Sequence, residues 1–216
     1  MQAAPWGSRF VHDIGMSMFD EKASDWDTPE RRERASALAD SIREQVTLSA
    51  SMRAIDIGAG TGLLGLDLAA DVGSVTLTDP SEGMIAVARQ KIAAEDIRNA
   101  SAMVYDLPAE PPAGAPFDLA VSLLMLHHVE DTGAMLRSIH GMLAPGGRIA
   151  LVDLDAEDGS FHDADQEGIH HHGFDRSDLE QQARAAGFVN AETRLIFELE
   201  RDGRVYPLFL LTGQRP

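Results

Sequence analysis

The segment that most restricts the fold is Arg53-Ala54-Ile55-Asp56-Ile57, which runs directly into Gly58-Ala59-Gly60-Thr61-Gly62 and then into a helical window. A β-rich run, a glycine turn and a helix make one unit of a parallel sheet. They aim backbone N–H groups and a helix N-terminus at whatever lies above the strand end. The pattern repeats along the chain, with β-rich runs at about 52–57, 74–79, 101–105, 117–122 and 147–153 and helical windows at about 62–71, 82–95 and 132–143. Such alternation predicts a parallel sheet covered on both faces. Ahead of it, Thr28-Pro29 reads as an N-cap and first helical position, followed by Ala35, Leu38, Ala39, Ile42 and Val46 at helical spacing. After it, Ser177-Asp178-Leu179-Glu180 reads as a capping box opening a helix that ends at Gly187. The alternation then breaks: 188–199 and 204–213 are β-rich and joined by Arg201-Asp202-Gly203, which predicts a hairpin and an antiparallel pair.

Two ligands fit the glycine loop at this stage. Gly60-Thr61-Gly62-Leu63-Leu64-Gly65 satisfies the G-x-G-x-x-G pattern of dinucleotide sites, with the acidic Asp79 19 residues beyond Gly60. The second reading begins at Asp56 and gives Asp-x-Gly-x-Gly-x-Gly. Asp79 closes the strand Val75-Thr76-Leu77-Thr78-Asp79, where a carboxylate can accept from both hydroxyls of a ribose, so it serves either cofactor.

The downstream residues separate the two. Asp56 through Gly62, Asp79-Pro80-Ser81-Glu82-Gly83-Met84, Tyr105-Asp106-Leu107-Pro108, Phe117 to Ser122 leading into Leu126-His127-His128, and Leu143-Ala144-Pro145-Gly146-Gly147-Arg148 follow one another in order. Together they resemble the motifs of small-molecule class I S-adenosylmethionine-dependent methyltransferases. The resemblance implies an α/β, Rossmann-like, seven-stranded and mostly parallel sheet of order 3-2-1-4-5-7-6 with an antiparallel last strand, in three αβα layers. It implies S-adenosylmethionine as cofactor, S-adenosylhomocysteine as product, and cofactor contacts from Asp56, Gly58, Gly60, Gly62, Asp79, Pro80, Met84, Asp106, Leu107, Ser122 and Leu123. Within that set Met84 would pack on the adenine and Asp106 would accept from its amino group. Residues 19–27 resemble the peptide that closes over the cofactor in such enzymes, with Trp26 as the aromatic contact. Residues 1–50 are then expected as a small helical cap and 51–216 as the cofactor-binding domain, with 155–176 a lid insertion.

The reaction so implied is an in-line displacement at a sulfonium methyl by an oxygen, nitrogen or carbon of a small acceptor. The protein contributes positioning, desolvation and, where needed, a base. Histidine titrates near working pH, which makes His127, His128, His162 and the triplet His170-His171-His172 the candidates; His128 and His171 are the two expected to act. A divalent metal has no tight ligand spacing to support it, although His162, Asp163 and Asp165 lie together, so none is expected. Two further classes remain open. A non-catalytic, cofactor-binding homologue would lack an acceptor cavity. A small NAD(P)-dependent reductase would carry Tyr-x-x-x-Lys, and neither Tyr105 nor Tyr206 has a lysine four residues on.

Charge narrows the partners. Eighteen Lys and Arg stand against 35 Asp and Glu, a net charge of −17, which opposes nucleic acid and anionic membranes. There is no cysteine and no apolar run long enough to span a bilayer, and a cytoplasmic location with a monomer or homodimer is expected. Thirteen acids fall between Arg98 and Arg137 or between Arg148 and Arg176, two stretches without a single Lys or Arg. They are expected either to solvate the surface or to make an acidic mouth that favours the cationic cofactor. The Asn/Asp-Pro-Pro-aromatic motif of amino-methylating DNA and protein enzymes is absent after the fourth strand, where Ser122-Leu123-Leu124-Met125 stands instead.

Overall fold

A computed structural model describes residues 19–107, 110–163, 166 and 168–216; Pro108, Asp165 and residues 1–18 of the expected cap lie outside the described residues. Seven strands form one sheet: β1 (Arg53–Ile57), β2 (Ser74–Asp79), β3 (Ala100–Val104), β4 (Phe117–Leu123), β5 (Leu143–Leu154), β6 (Val189–Arg201) and β7 (Arg204–Gln214). Their order is β3-β2-β1-β4-β5-β7-β6, as the motifs implied. The first five strands run parallel, and β7 lies antiparallel to both β5 and β6. Asp202 and Gly203 turn the β6–β7 hairpin with φ of 53° and 74°, the two positive values a primed two-residue turn demands.

Alternation along the strands divides the core. Ala54, Leu77, Leu119, Val121, Ala150 and Val152 face one side of the sheet, while Ile55, Ile57, Ala120, Ile149 and Leu151 face the other. The first side is covered by α1 (Pro29–Gln45), α2 (Leu63–Leu68) and α3 (Glu82–Ala94), the second by α4 (Thr132–Met142) and α5 (Arg176–Ala185). Thr28 caps α1 by accepting from Arg31 N, with Pro29 at the first helical position. Leu38, Ala39 and Ile42 of α1 are fully buried among Leu64 and Leu68. Arg43 locks the two helices together through Asp67 at 2.8 Å and Asp71 at 2.7 Å. Most of α1 is therefore part of the packed layer, while Arg31, Arg34 and Ala35 of its first turns line the cavity described below.

Three boundaries differ from the sequence reading. The second helix is confined to Leu63–Leu68 because Gly62 is its N-cap and Ala69 its C-cap. β5 begins at Leu143, before Pro145-Gly146-Gly147, because Leu143 already pairs with Phe117 and the register shifts before Leu119 meets Arg148. The last helix is capped by Asp175, which accepts from Asp178 N at 3.1 Å, and not by Ser177. Glu180 reaches instead to Thr193 N and Oγ1 on β6, both at 2.8 Å.

Candidate active site

The carboxyl ends of β1, β2, β3 and β4 open into a cavity of about 920 Å³, at the upper end of the ~300–1,000 Å³ usual for small-molecule sites. Asp56, Gly58, Gly60, Asp79, Pro80, Met84, Asp106, Leu107, Leu123, Trp26 and His128 all line it. Gly62, Ser122 and His171 do not. Gly62 caps α2 behind the loop, Ser122 is buried and donates to Ile57 O at 2.7 Å, and His171 Nε2 donates to Val129 O at 2.9 Å.

The glycine loop is held by two carboxylates. Asp79 Oδ2 accepts from Gly60 N at 2.8 Å and Oδ1 from Ser81 N at 2.9 Å. One backbone bond on each oxygen fixes the carboxylate in plane and leaves further lone pairs for a vicinal diol. Burial raises its pKa, opposed by those two N–H groups and assisted by Asp20 and Asp106. Asp56 is 1% exposed; Oδ2 accepts from Gly65 N at 2.9 Å, and Oδ1 has no partner. Burial, with Asp79 nearby, lifts its pKa to about 8. An orphaned buried acceptor on the cavity wall calls for a donor from a ligand.

A Cβ on Gly60, at φ +55°, would stand 3.8 Å from Met84 Sδ and 3.9 Å from Trp26 Nε1, so glycine leaves that space to the ligand. Met84 is fully buried, its N–H held by the α3 cap Ser81. Ser81 and Gly83 N also bind Asp20, which ties the peptide carrying Trp26 to α3. An apolar shelf of Met84 and Leu107, the carboxylates of Asp106 and Asp79 and the unpartnered Oδ1 of Asp56 fit the adenine, ribose and ammonium ends of S-adenosylmethionine.

Opposite this end, three imidazoles stack. His127 lies 4.2 Å from His128 and 4.9 Å from His162, centroid to centroid. His127 Nδ1 is 2.7 Å from Asp153 Oδ1, and both side chains are essentially inaccessible. Burial alone would raise the Asp153 pKa; the charge and hydrogen bond of His127, with Leu154 N at 2.8 Å, outweigh it and the pKa falls. Asp153 therefore holds the proton on Nδ1 and leaves Nε2 as the ring nitrogen free to meet a substrate. His128 donates from Nδ1 to Gly168 O at 2.8 Å, and burial and His127 lower its pKa to about 4, so it is neutral. His162 is likewise lowered to about 4 by burial and His127, and its buried Nε2 has no partner. Among the described residues no group of three or more His, Cys, Asp or Glu could hold a metal ion.

The acidic stretches do not form a mouth. Asp131 and Asp175 cap α4 and α5. Asp118, Asp155, Asp158 and Asp163 pair with Arg53, Arg176, Arg204 and Arg201. From those stretches only Asp106 and Asp163, among the described residues, line the cavity. The pairing of His127 with Asp153 was missing from the sequence reading, although β4 and β5 are neighbours and Leu123 lies opposite Val152, one residue before Asp153. Arg31 and Arg34, which also line the cavity, were missed altogether.

Fold and site together define a class I methyltransferase, and comparison with known proteins agrees. The methyltransferase-domain family profile matches residues 30–193, three quarters of the chain. The chain belongs to this family of S-adenosylmethionine-dependent methyltransferases. It is 37% identical over 100 residues to an uncharacterized methyltransferase of Mycobacterium tuberculosis, covering 45% of this chain and 48% of that protein. It is 32% identical over 124 residues to the ubiquinone biosynthesis O-methyltransferase of Marinobacter nauticus, covering 56% of this chain and 51% of that one. The matched stretches thus span about half the length of these relatives. A chain of the complex between the Haloferax volcanii Trm112 methyltransferase activator and a methyltransferase superposes with a TM-score of 0.76 at 20% identity, covering 97% of this chain and all of that one. No helix among the described residues is long and apolar enough to cross a membrane.

Proposed function

We propose that this protein methylates a hydroxyl oxygen of a small-molecule acceptor, with His127 as general base and Asp153 as its positioning partner. The observation that carries the reading is the buried Asp153–His127 pair on the wall of the cavity that also contains the glycine loop. S-adenosylmethionine, when bound, supplies a methyl group on a sulfonium leaving group. His127 Nε2 takes the hydroxyl proton as the C–O bond forms and the S–C bond breaks, and the proton later passes to solvent. Asp153 stabilises the imidazolium and fixes its tautomer. A carboxylate-backed imidazole is of use to an acceptor that must lose a proton to become a good nucleophile. The O-methyltransferase named among the relatives supports the same choice. Phe19, edge-on to His128 at 5.6 Å and to Trp26 at 5.7 Å, helps to close the cavity to water. We place residues 155–176 as the acceptor-side lid, since Phe161, His162 and Ile169 of that segment line the cavity.

His127→Gln should lower turnover of a phenol panel by ~10²–10⁴-fold, the usual contribution of a positioned base, while the affinity for S-adenosylhomocysteine stays unchanged. Asp153→Asn should show a smaller fall with the same unchanged affinity. Wild-type turnover in His127→Gln would overturn the assignment of the base, and failure of S-adenosylhomocysteine to bind the wild type would overturn the function.

A further inference from the structure

The cavity holds more positive charge than a protein of net charge −17 leads one to expect: Lys22, Arg31, Arg34 and Arg201 all line it. Arg34 makes no hydrogen bond or ion pair among the described residues, although it is half-buried. Arg31 donates only to Trp26 O at 2.9 Å and lies with its guanidinium 4.0 Å over the Trp26 ring. Asp27, whose charge acts on Arg31, is shared with Arg32 at 3.2 Å and Lys91 at 2.8 Å. Arg31 feels Asp27 first and then the positive charge of Arg201, Arg34 feels that of Arg31, and all three guanidinium groups line the same cavity. Like charges gathered in a partly dry space oppose folding unless an anion joins them.

The neighbouring rings fix where that anion would sit. Arg201 lies 5.8 Å over Phe161, whose ring is 4.7 Å from that of His162. Arg31 lies over Trp26, and Phe19 bridges Trp26 to His128. On each side one or two aromatic rings separate the cations from the histidine cluster.

We propose that the acceptor carries an oxyanion group, carboxylate or phosphate, which Arg31, Arg34 and Arg201 hold across the cavity from the hydroxyl presented to His127. An aryl ring between the two groups matches the flat aromatic walls. The fork of a guanidinium suits either oxyanion bidentately, whereas a neutral acceptor would leave Arg34 with no counter-ion among the described residues, and Arg201 with only Asp163 at 2.8 Å and Asp202 at 3.5 Å. This inference rests on the methyltransferase reading and narrows its acceptor.

The test uses the Trp6→Phe variant, leaving Trp26 as the sole tryptophan and Arg31 as its neighbour. With the protein saturated in S-adenosylhomocysteine, Trp26 fluorescence is titrated with benzoate, phenyl phosphate and benzyl alcohol. Either anion should bind roughly ten- to a hundredfold more tightly than the alcohol, the value of charge-assisted bonds to arginine. The tighter of the two identifies the source of the oxyanion. Arg34→Gln should erase most of the preference without weakening the alcohol, Arg34→Lys should restore part of it, and the exposed Arg98→Gln should leave it intact. Equal binding of anions and alcohol, or an unaltered preference in Arg34→Gln, overturns the proposal. A thermal shift with S-adenosylhomocysteine separates the failures: stabilisation without anion preference sinks this inference alone, whereas no stabilisation sinks the methyltransferase reading beneath it.

Discussion

Asp56 offers the sharpest quantitative test of how the site is built. Its carboxyl is fully buried, and burial lifts its pKa from 3.8 to about 8, with Asp79 adding to the shift and Gly65 N opposing it. A shift of that size corresponds to on the order of 5 kcal/mol of differential preference for the protonated form. The folded pKa is the raised one, so the stabilisation is fully present below about pH 3.8 and is lost as pH rises towards 8. Between those limits the folded protein holds one proton that the unfolded chain releases, and stability falls by ~1.4 kcal/mol per pH unit from this group alone. Asp56→Asn keeps an oxygen for Gly65 N but removes the titration. Urea unfolding of both proteins at pH 5, 6 and 7 should show the wild type losing ~3 kcal/mol more than the variant across that range, a large part of the ~5–15 kcal/mol typical of a domain. The same proton should leave when S-adenosylmethionine binds below pH 8, because the ligand ammonium favours the carboxylate; calorimetry in buffers of different ionisation enthalpy would detect it. Parallel stability profiles for the two proteins would refute the account of a buried, protonated Asp56.

Two further substitutions probe the loop itself. Gly65→Ala would set a Cβ 2.3 Å from Leu77 Cδ2 and 2.7 Å from Asp56 Oδ2, and should cost ~1–3 kcal/mol in urea midpoint as well as loosening Asp56. Asp79→Ala removes the acceptor for Gly60 N and Ser81 N together with the diol contact; S-adenosylhomocysteine affinity should fall ~100-fold or more while far-UV circular dichroism is unchanged.

What could be read from the sequence was what one strand and its following loop carry together. The glycine loop, Asp79, Met84 and Asp106 each sit within a few residues of a strand end, so the motif order already placed them at one edge of the sheet. The central parallel strands are short β-rich runs, Arg53–Ile57, Ser74–Asp79 and Phe117–Leu123, separated by helical windows, which made β1, β2 and β4 visible. The β5 boundary was hidden because Pro145-Gly146-Gly147 looks like a terminator, whereas Leu143 before it already pairs with β4 and the pairing resumes at Arg148. The α5 cap was misread because Glu180, the fourth member of the expected box, is drawn away to Thr193 by a contact that exists only after β6 has docked. The carboxylate partner of the proposed base was obscured for a related reason: His127 and Asp153 are 26 residues apart and meet only in the folded chain. Arg31 and Arg34 lie three residues apart on α1, a spacing that in a sequence reads as a solvated helix surface, whereas in the fold both line the cavity.

The place of Arg31 and Arg34 on the cavity wall also bears on which charges act on ligands. The net charge of −17 suggested an acidic field that would favour the cationic cofactor. Yet Asp118, Asp155 and Asp158 are partly or largely exposed and each is paired with an arginine. Exposed charges of this kind are screened within ~8–10 Å at ordinary ionic strength. Arg31 and Arg34 face a partly enclosed, ring-walled space where screening is weaker and each charge acts at a lower effective dielectric constant. A few unpaired cations inside should therefore outweigh many neutralised acids outside. Raising potassium chloride from 20 to 200 mM should increase KM for an anionic acceptor several-fold and leave S-adenosylhomocysteine affinity within about twofold, since its contacts with Asp56 and Asp79 are buried. A cofactor affinity that collapses with salt, beside an acceptor KM that does not move, would return control of the site to the protein's overall charge.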